Sequence, residues 1–414
     1  MTSPGKASRP VLAKLPCHYG WVIVGAACLT VFSCLGLARF AFGMLLPGMQ
    51  AGLGMSYEQM GYLGTANFVG YLLSVALLPA LLKRLRPRLT IGSGLLFIAV
   101  TMAAMAQAKS FEELLMFYAL TGVGSGLANL GAMVLIAHWF RRDKRGQAAG
   151  LMVVGSGAGI IFTGQVIPWL NRLYGAAGWR FGWLLLAAIV LGVVVISTLL
   201  IRNDPADLGL EPVGRKLVIS AEAVLADVRA GRAVVLLGLL YLAYGATYSV
   251  YGTFVVTSMI EDYGFSEAVA GQFWSWVGFF SLFSGVLFGS LSDRIGRKGG
   301  LMAVFAVQTL AYLLAGIGGG TALLLASVVL FGIAAWAIPA IMTAAIGDYL
   351  GLARAAWGFS LITFFFAGGQ TVGPAVAGVL AEHFGSFAPT FLLAAAITAG
   401  AFLLTPALPQ PARH

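Results

Sequence analysis

Charge is what this sequence has least of. Only 10% of its 414 residues are Asp, Glu, Lys or Arg, where soluble domains carry about 25%. With 59% hydrophobic residues and a mean hydropathy of +0.91, the chain lacks the polar groups to cover a water-facing surface, which excludes an ordinary soluble fold. Disorder is excluded on the same ground, because disordered chains are poor in apolar residues. Cysteine is scarce: Cys17, Cys28 and Cys34 fall near the N-terminus, two of them inside an apolar run. That placement fits small packing residues and no disulfide framework. The four histidines include no pair at metal-ligand spacing, and His138 and His383 fall at the ends of apolar runs. No metal and no cofactor are expected. Acids are confined too: Glu58, Glu267, Asp348 and Glu382 all lie near run ends.

What is present is a series of long apolar runs, at 19–46, 57–82, 89–107, 112–140, 147–171, 181–201, 233–260, 267–291, 299–318, 321–348, 355–382 and 387–407. A spanning helix needs about 20 such residues, so the predicted class is an all-α membrane protein with twelve transmembrane helices. The first run is too long for a signal-peptide core and is kept as a span. Assigning loops alternately to two sides puts twenty-one Lys and Arg on one and only Lys109, Arg172 and Arg180 on the other. Basic loops stay in the cytoplasm, so both termini are predicted cytoplasmic, and the net charge of +10 reads as membrane topology rather than nucleic-acid binding. The long loop 202–232 divides the chain into two six-helix halves, 1–201 and 233–414. An offset of 210 residues aligns Ser56 with Ser266, Gly61 with Gly271, and Lys83-Arg84 with Asp293-Arg294. Halves related by weak internal similarity predict a pseudo-two-fold, rocking transporter with its site between them.

The loop Gly289-Ser-Leu-Ser-Asp293-Arg294-Ile-Gly296-Arg297-Lys298 resembles the signature G-x-x-x-D-R-x-G-R-[RK] of the major facilitator superfamily. Gly289 allows close helix approach. Asp293 suits a neighbouring helix N-terminus, here the start of the fifth span near Gly146, and Arg294 and Arg297 hold the turn; these three are the predicted gating residues. The first-half counterpart, Pro79 to Arg88, carries Lys83 in place of the acid. The opening His18-Tyr19-Gly20-Trp21 and the junction Trp139-Phe140-Arg141-Arg142-Asp143-Lys144-Arg145-Gly146-Gln147 resemble the monocarboxylate porters. Gly36-Leu-Ala-Arg39-Phe40-Ala-Phe-Gly43 with Leu46-Pro47 resembles a related, poorly characterised bacterial branch. In the monocarboxylate porters a lysine nineteen residues after the Gly of the Gly-Trp pair binds the substrate carboxylate and the coupled proton; that position here is Arg39. The family's Asp and Arg in helix 8 have no counterpart inside run 267–291.

Arg39 is the leading binding candidate. A cation inside a span costs about 3 kcal/mol on insertion scales, so it is kept for a reason. A guanidinium stays protonated and its planar fork suits a carboxylate. Gly36 and Gly43, at i−3 and i+4, are expected to leave room beside it. The run's end at residue 46 places Arg39 roughly 10 Å below the outer surface, where the alternative is snorkelling to the interface. Two polar stripes follow helical spacing: Tyr118, Thr121, Ser125 and Asn129, and Tyr241, Tyr244, Tyr248 and Tyr251. The superfamily resemblance implies that these helices line the cavity. Asn67, Gln272, Trp276, Trp336, Thr343 and Gln370 are further candidates, with helix-to-helix hydrogen bonding as the alternative for each. Gly122, Gly124 and Gly126 lack a strand and a P-loop lysine, so they read as packing glycines. The function expected from these features is secondary transport of a small organic anion, a monocarboxylate such as lactate, with protons as coupling ion, by a monomer in the bilayer. The alternative is export of amphipathic or drug-like compounds. Nothing resembles a catalytic constellation, so no enzyme is expected.

Overall fold

The structure, a computed structural model, describes residues 18–215, 228–351 and 354–409. The basic N-terminal tail with Cys17, the centre of the 202–232 linker and the last residues of the C-terminal tail lie outside them. Apart from one isolated bridge, the regular structure of the described residues is helical. The first apolar run forms α1 (Gly20–Val31), a π-helical stretch over Phe32–Phe40, and α2 (Ala41–Leu53), without interruption. The helix therefore continues past Pro47, where the sequence suggested a stop, and ends at Gly54 with φ 63°. A proline removes one backbone bond, and packing inside a membrane bundle tolerates that loss.

Beyond it lie α3 (Tyr57–Met105), α4 (Phe111–Trp139), α5 (Arg142–Tyr174), α6 (Gly178–Leu200), α7 (Val228–Glu261), α8 (Glu267–Gly316), α9 (Thr321–Ala334), α10 (Ala337–Leu350), α11 (Ala355–Phe384) and α12 (Ala388–Leu404). Each of α3 and α8 joins two predicted spans, with non-helical backbone at Arg86 (φ 58°) and Gly296 (φ 84°) respectively. These breaks are themselves 210 residues apart. The same offset pairs Ser56 and Ser266, which cap α3 and α8 by accepting from the backbone N–H three residues on. Among the described residues, nine helical stretches are long and apolar enough to cross a membrane. Three of them, Tyr57–Met105, Asp143–Leu200 and Glu267–Gly316, run to 49, 58 and 50 residues, well beyond a single crossing of about 20.

Glycine sets the helix spacing. A Cβ at Gly122 would lie 2.0 Å from the Asn67 carbonyl oxygen and one at Gly126 1.7 Å from Ser74 Oγ, so α4 packs directly on α3. This is the packing role expected for that glycine run. Residues 18–200 meet residues 233–409 where α2 packs on α7 and along two further seams. At one, a Cβ on Gly61 of α3 would lie 2.5 Å from the Pro374 carbonyl of α11; at the other, a Cβ on Gly271 of α8 would lie 2.1 Å from the Gly164 carbonyl of α5. Hydrogen bonds cluster there: Tyr57 N–H to the Glu382 carboxylate (2.8 Å), Thr65 to Thr371 O (2.7 Å), Gln165 to Ser275 Oγ (2.8 Å) and Asn171 to Glu267 (2.8 Å). Both seams close the end remote from the basic loops. Towards the basic loops, Gly146, Gly150 and Gly289 have open space where a Cβ would be.

The chain after α6 folds back as a strap. Val213 bridges Phe140, exchanging backbone bonds with Trp139 O (2.9 Å) and Arg141 N–H (2.8 Å). Arg141 pairs with Glu211, and the Arg215 N–H donates to the Asp143 carboxylate (3.1 Å) in the first turn of α5.

Candidate functional site: a buried arginine between aromatic helices

Arg39 lies at the end of the π-helical stretch, fourteen residues before the helix ends at Leu53. At 1.5 Å per residue it is about 20 Å from that end, twice the depth the sequence suggested, and close to the middle of the helix. Its side chain does not snorkel: the residue is 9% exposed. π-Helical turns are uncommon and concentrate at functional sites. The glycines beside it do not leave free room, as expected; they admit neighbouring backbone. A Cβ at Gly36 would be 2.8 Å from Gly159 Cα, and one at Gly43 2.7 Å from the Gly252 carbonyl.

The guanidinium rests over two rings of α3, 4.8 Å from Phe68 and 4.5 Å from Tyr71. Desolvated cation–π contacts are worth about 2 kcal/mol, which offsets part of the cost of burial. Tyr248 of α7 is within hydrogen-bonding reach of it. Among the described ion pairs none involves Arg39, and its Nε and Nη2 are buried without an acceptor. The cation is thus held by ring faces, with two donors unused.

Six other predicted residues converge here. Asn67 donates to Tyr118 O (3.1 Å) while its Oδ1 is buried and unpartnered. The Tyr118 hydroxyl points to Arg39 O (3.4 Å) and its ring stacks on Phe42 at 4.4 Å. Asn129 fixes the Tyr71 hydroxyl (2.9 Å), and Gln370 of α11 donates to the Tyr248 hydroxyl (2.6 Å). Trp336, at the break between α9 and α10, sets its ring 5.4 Å from Phe40 and 6.0 Å from Tyr248. Tyr244 stands one layer back, stacked on Tyr248 and bonded to Ala335 O. Arg39, Asn67, Tyr118 and Tyr248 line a void with room for little more than a water molecule.

Others do not arrive. Trp276 is 48% exposed and stacks with Phe280 on the outside of α8. Gln272 and Thr343 are exposed as well. Thr121 bonds Thr101 (2.8 Å) and Tyr251 bonds Ser327 (2.9 Å), both helix-to-helix links. Sequence reasoning missed Phe68, Tyr71 and Trp274. Phe68 and Tyr71 adjoin Asn67 at i+1 and i+4, and Tyr71 was recoverable from that spacing. Trp274 was recoverable from Gly271 and Gly278, which flank it at i−3 and i+4 and face α5.

The gating triad differs in its partners. Asp293 does not dock on the start of α5; its carboxylate takes Arg297 Nη1 (2.5 Å), one turn later, and Arg297 Nε reaches Asp348 at the end of α10 (2.6 Å). The first turn of α5 already carries its own acid, Asp143, which satisfies the helix dipole locally. Arg294 is exposed. Arg297→Gln is therefore expected to destabilise the protein by about 1 kcal/mol, the network being partly screened, with Arg294→Gln neutral. Thermal unfolding in detergent checks this; equal effects of the two would remove the bridging role.

The described residues thus form a multi-pass helical bundle with a buried cation that lacks an ion-pair partner. Residues 31–406 match the family described as uncharacterised MFS-type transporter YbfB, and the chain belongs to that family. It is a transporter of the major facilitator type, not an enzyme. It is 23% identical over 392 residues to a hexuronate transporter of Bacillus subtilis, covering 89% of both chains. It is 24% identical over 354 residues to the multi-drug resistance efflux pump PmrA of Streptococcus pneumoniae, covering 82% of this chain and 84% of the pump. The fold matches a bacterial homologue of the human lysosomal transporter Spinster, in an inward-facing and occupied conformation, with TM-score 0.76 at 15% identity over 94% of this chain and 97% of that one.

Proposed function

We propose that the protein is a secondary active transporter of a small organic anion across the cytoplasmic membrane. In this reading the breaks at Arg86, Gly175 and Gly296 are turns between spans, so the nine long stretches become twelve crossings. Residues 1–201 and 233–414 are two six-helix halves that rock about Arg39, the linker 202–232 joins them, and both termini are cytoplasmic. The carrying observation is the guanidinium of Arg39, buried near mid-helix with Nε and Nη2 unpartnered. A carboxylate would take both donors in a fork and neutralise the charge. With the basic loops cytoplasmic, as proposed, the closed seams lie on the outer side and the reading is of an inward-opening conformation.

Monocarboxylates such as lactate are the smallest substrates that fit this logic, and protons are the coupling ion. Arg39 does not release a proton, so the proton travels with the substrate or on an acid at a seam. The relative named a hexuronate transporter is in keeping with a carboxylate substrate; the one named a drug efflux pump favours export of amphipathic compounds. Uptake by proteoliposomes separates them. Lactate and D-glucuronate are offered with and without an imposed pH gradient, and ethidium efflux is followed in parallel. Gradient-dependent accumulation of either acid is expected. Ethidium flux with no acid uptake would overturn the anion reading.

A further inference from the structure

The break of α3 at Arg86 has its counterpart 210 residues on, in the break of α8 at Gly296. Gly296 has φ 84° and ψ 160°, and Arg86 has φ 58° and ψ 165°. Backbone of this kind is essentially reserved for glycine, and a following proline, here Pro87, restricts the residue further. Among the described residues Arg86 is the one non-glycine residue with positive φ. A topology signal is met by Lys or Arg anywhere in a loop, so topology gives no reason for an arginine at this position. The charges differ between the two turns as well. Residues 83–88 hold Lys83, Arg84, Arg86 and Arg88 and no acid. Arg88 is spent on Thr198 O (2.6 Å) near the end of α6. Lys83, Arg84 and Arg86 are exposed and take part in none of the described ion pairs. In the counterpart turn, Arg297 is clasped by Asp293 and Asp348. One turn is neutralised from within and the other is not.

The surroundings say where an anion would come from. Leu73 and Leu77 are exposed and stand eleven and seven residues before Arg84, on one face of α3. Leu73 is two positions from Tyr71, whose ring meets Arg39, so this face points away from the interior. Arg84 thus ends an apolar stripe on the outside of the bundle, and Leu89, just past the turn, is exposed too. Cations at the end of such a stripe stand at the height of lipid headgroups. We propose that the 83–86 turn binds the phosphate of an anionic phospholipid, with Lys83, Arg84 and Arg86 donating to it and an acyl chain lying along Leu73 and Leu77. Guanidinium groups suit phosphate oxygens, and the strained backbone at Arg86 brings a third cation to the two on the helix.

Dioctanoyl phosphatidylglycerol and dioctanoyl phosphatidylcholine form the test pair, titrated onto the purified full chain in uncharged detergent at low salt. Wild type is expected to prefer phosphatidylglycerol by roughly 10-fold or more, and Lys83→Gln, Arg84→Gln and Arg86→Gly each to lower that affinity about 5-fold. Binding of phosphatidylcholine stays unchanged. Arg86→Gly also frees the backbone, so its thermal midpoint is expected to be no lower than that of wild type; if it fails to yield folded protein, the two glutamine variants carry the test. Arg294→Gln, in the counterpart turn, is expected to keep full affinity. Equal affinity for the two lipids, or an equal loss in Arg294→Gln, overturns the proposal. Displacement of the lipid by millimolar inorganic phosphate would make this a site for soluble anions, and a lower midpoint for Arg86→Gly would show that the arginine serves the fold; either result overturns it as well.

Discussion

Replacing Arg39 with glutamine is expected to act in opposite directions on stability and on binding. The empty protein should become more heat-stable by several degrees, and affinity for acids should fall roughly 30-fold or more. The first effect follows from the balance at the site. Burying the cation costs about 3 kcal/mol even on the lenient insertion scales. The Phe68 and Tyr71 faces return about 2, and two donors remain bare. Removing a buried charge that lacks a partner relieves that debt, whereas removing one of a matched pair costs several kcal/mol. The second effect follows because truncating one side of a buried charge pair costs about 2–5 kcal/mol, or roughly 30- to several thousand-fold. Thermal unfolding with and without D-glucuronate reads both. In wild type the acid should raise the midpoint and in the variant it should not. A variant that is less stable when empty yet still stabilised by the acid would show that Arg39 is a structural residue.

Adding one methyl group at two kinds of glycine should give two different outcomes. Gly122→Ala places a Cβ 2.0 Å from the Asn67 carbonyl, between α3 and α4. Those helices pack backbone to backbone along their length, so overpacking should cost about 3 kcal/mol, and folded protein should be lost. Gly271→Ala creates an equally severe contact, 2.1 Å from Gly164 O, but across a seam between the two proposed halves. The proposed rocking would open that seam and relieve the contact. The expected result is folded protein in which the seam end is open, read as at least a ~10-fold faster modification of a cysteine introduced for Ser275 by a membrane-impermeant reagent. Two-state elements convert small clashes into such shifts. Unfolding of both variants alike, or an unchanged labelling rate in Gly271→Ala, would tell against rocking at this seam.

Much of this was legible in the sequence, for identifiable reasons. Long apolar runs and sparse charge are direct consequences of bilayer solvation, so the helical membrane class followed from composition. The 210-residue offset picked out Ser56 and Ser266, and the structure gives both the same capping role. Arg39 stood out because a cation inside an apolar run has few explanations. Helix phase was harder to read. Trp274 and Trp276 are two residues apart, which on an α-helix turns them to nearly opposite sides; composition favoured neither, and the choice fell on the outward one. The depth of Arg39 was underestimated because Pro47 looks like a terminus when its helix neighbours are unknown. The π-helical stretch left no local signal; within it Gly36 seats against Gly159, a contact between residues far apart in sequence. Asp293 was assigned a distant helix end because sequence shows dipoles but not competition, and Arg297 is the nearer cation.

The strap from Asn203 to Arg215 bears on the connection between the two proposed halves. By zipping Val213 to the α4–α5 corner, the chain leaves the first proposed half there, and not at the end of α6. What remains before α7 begins is the stretch 216–227, about 40 Å when fully drawn out. Two of the corner bonds run backbone to backbone and the others use the side chains of Arg141, Glu211 and Asp143, so the mooring depends on those side chains as well; in the proposed rocking, deletions within 216–227 shorten the travel directly.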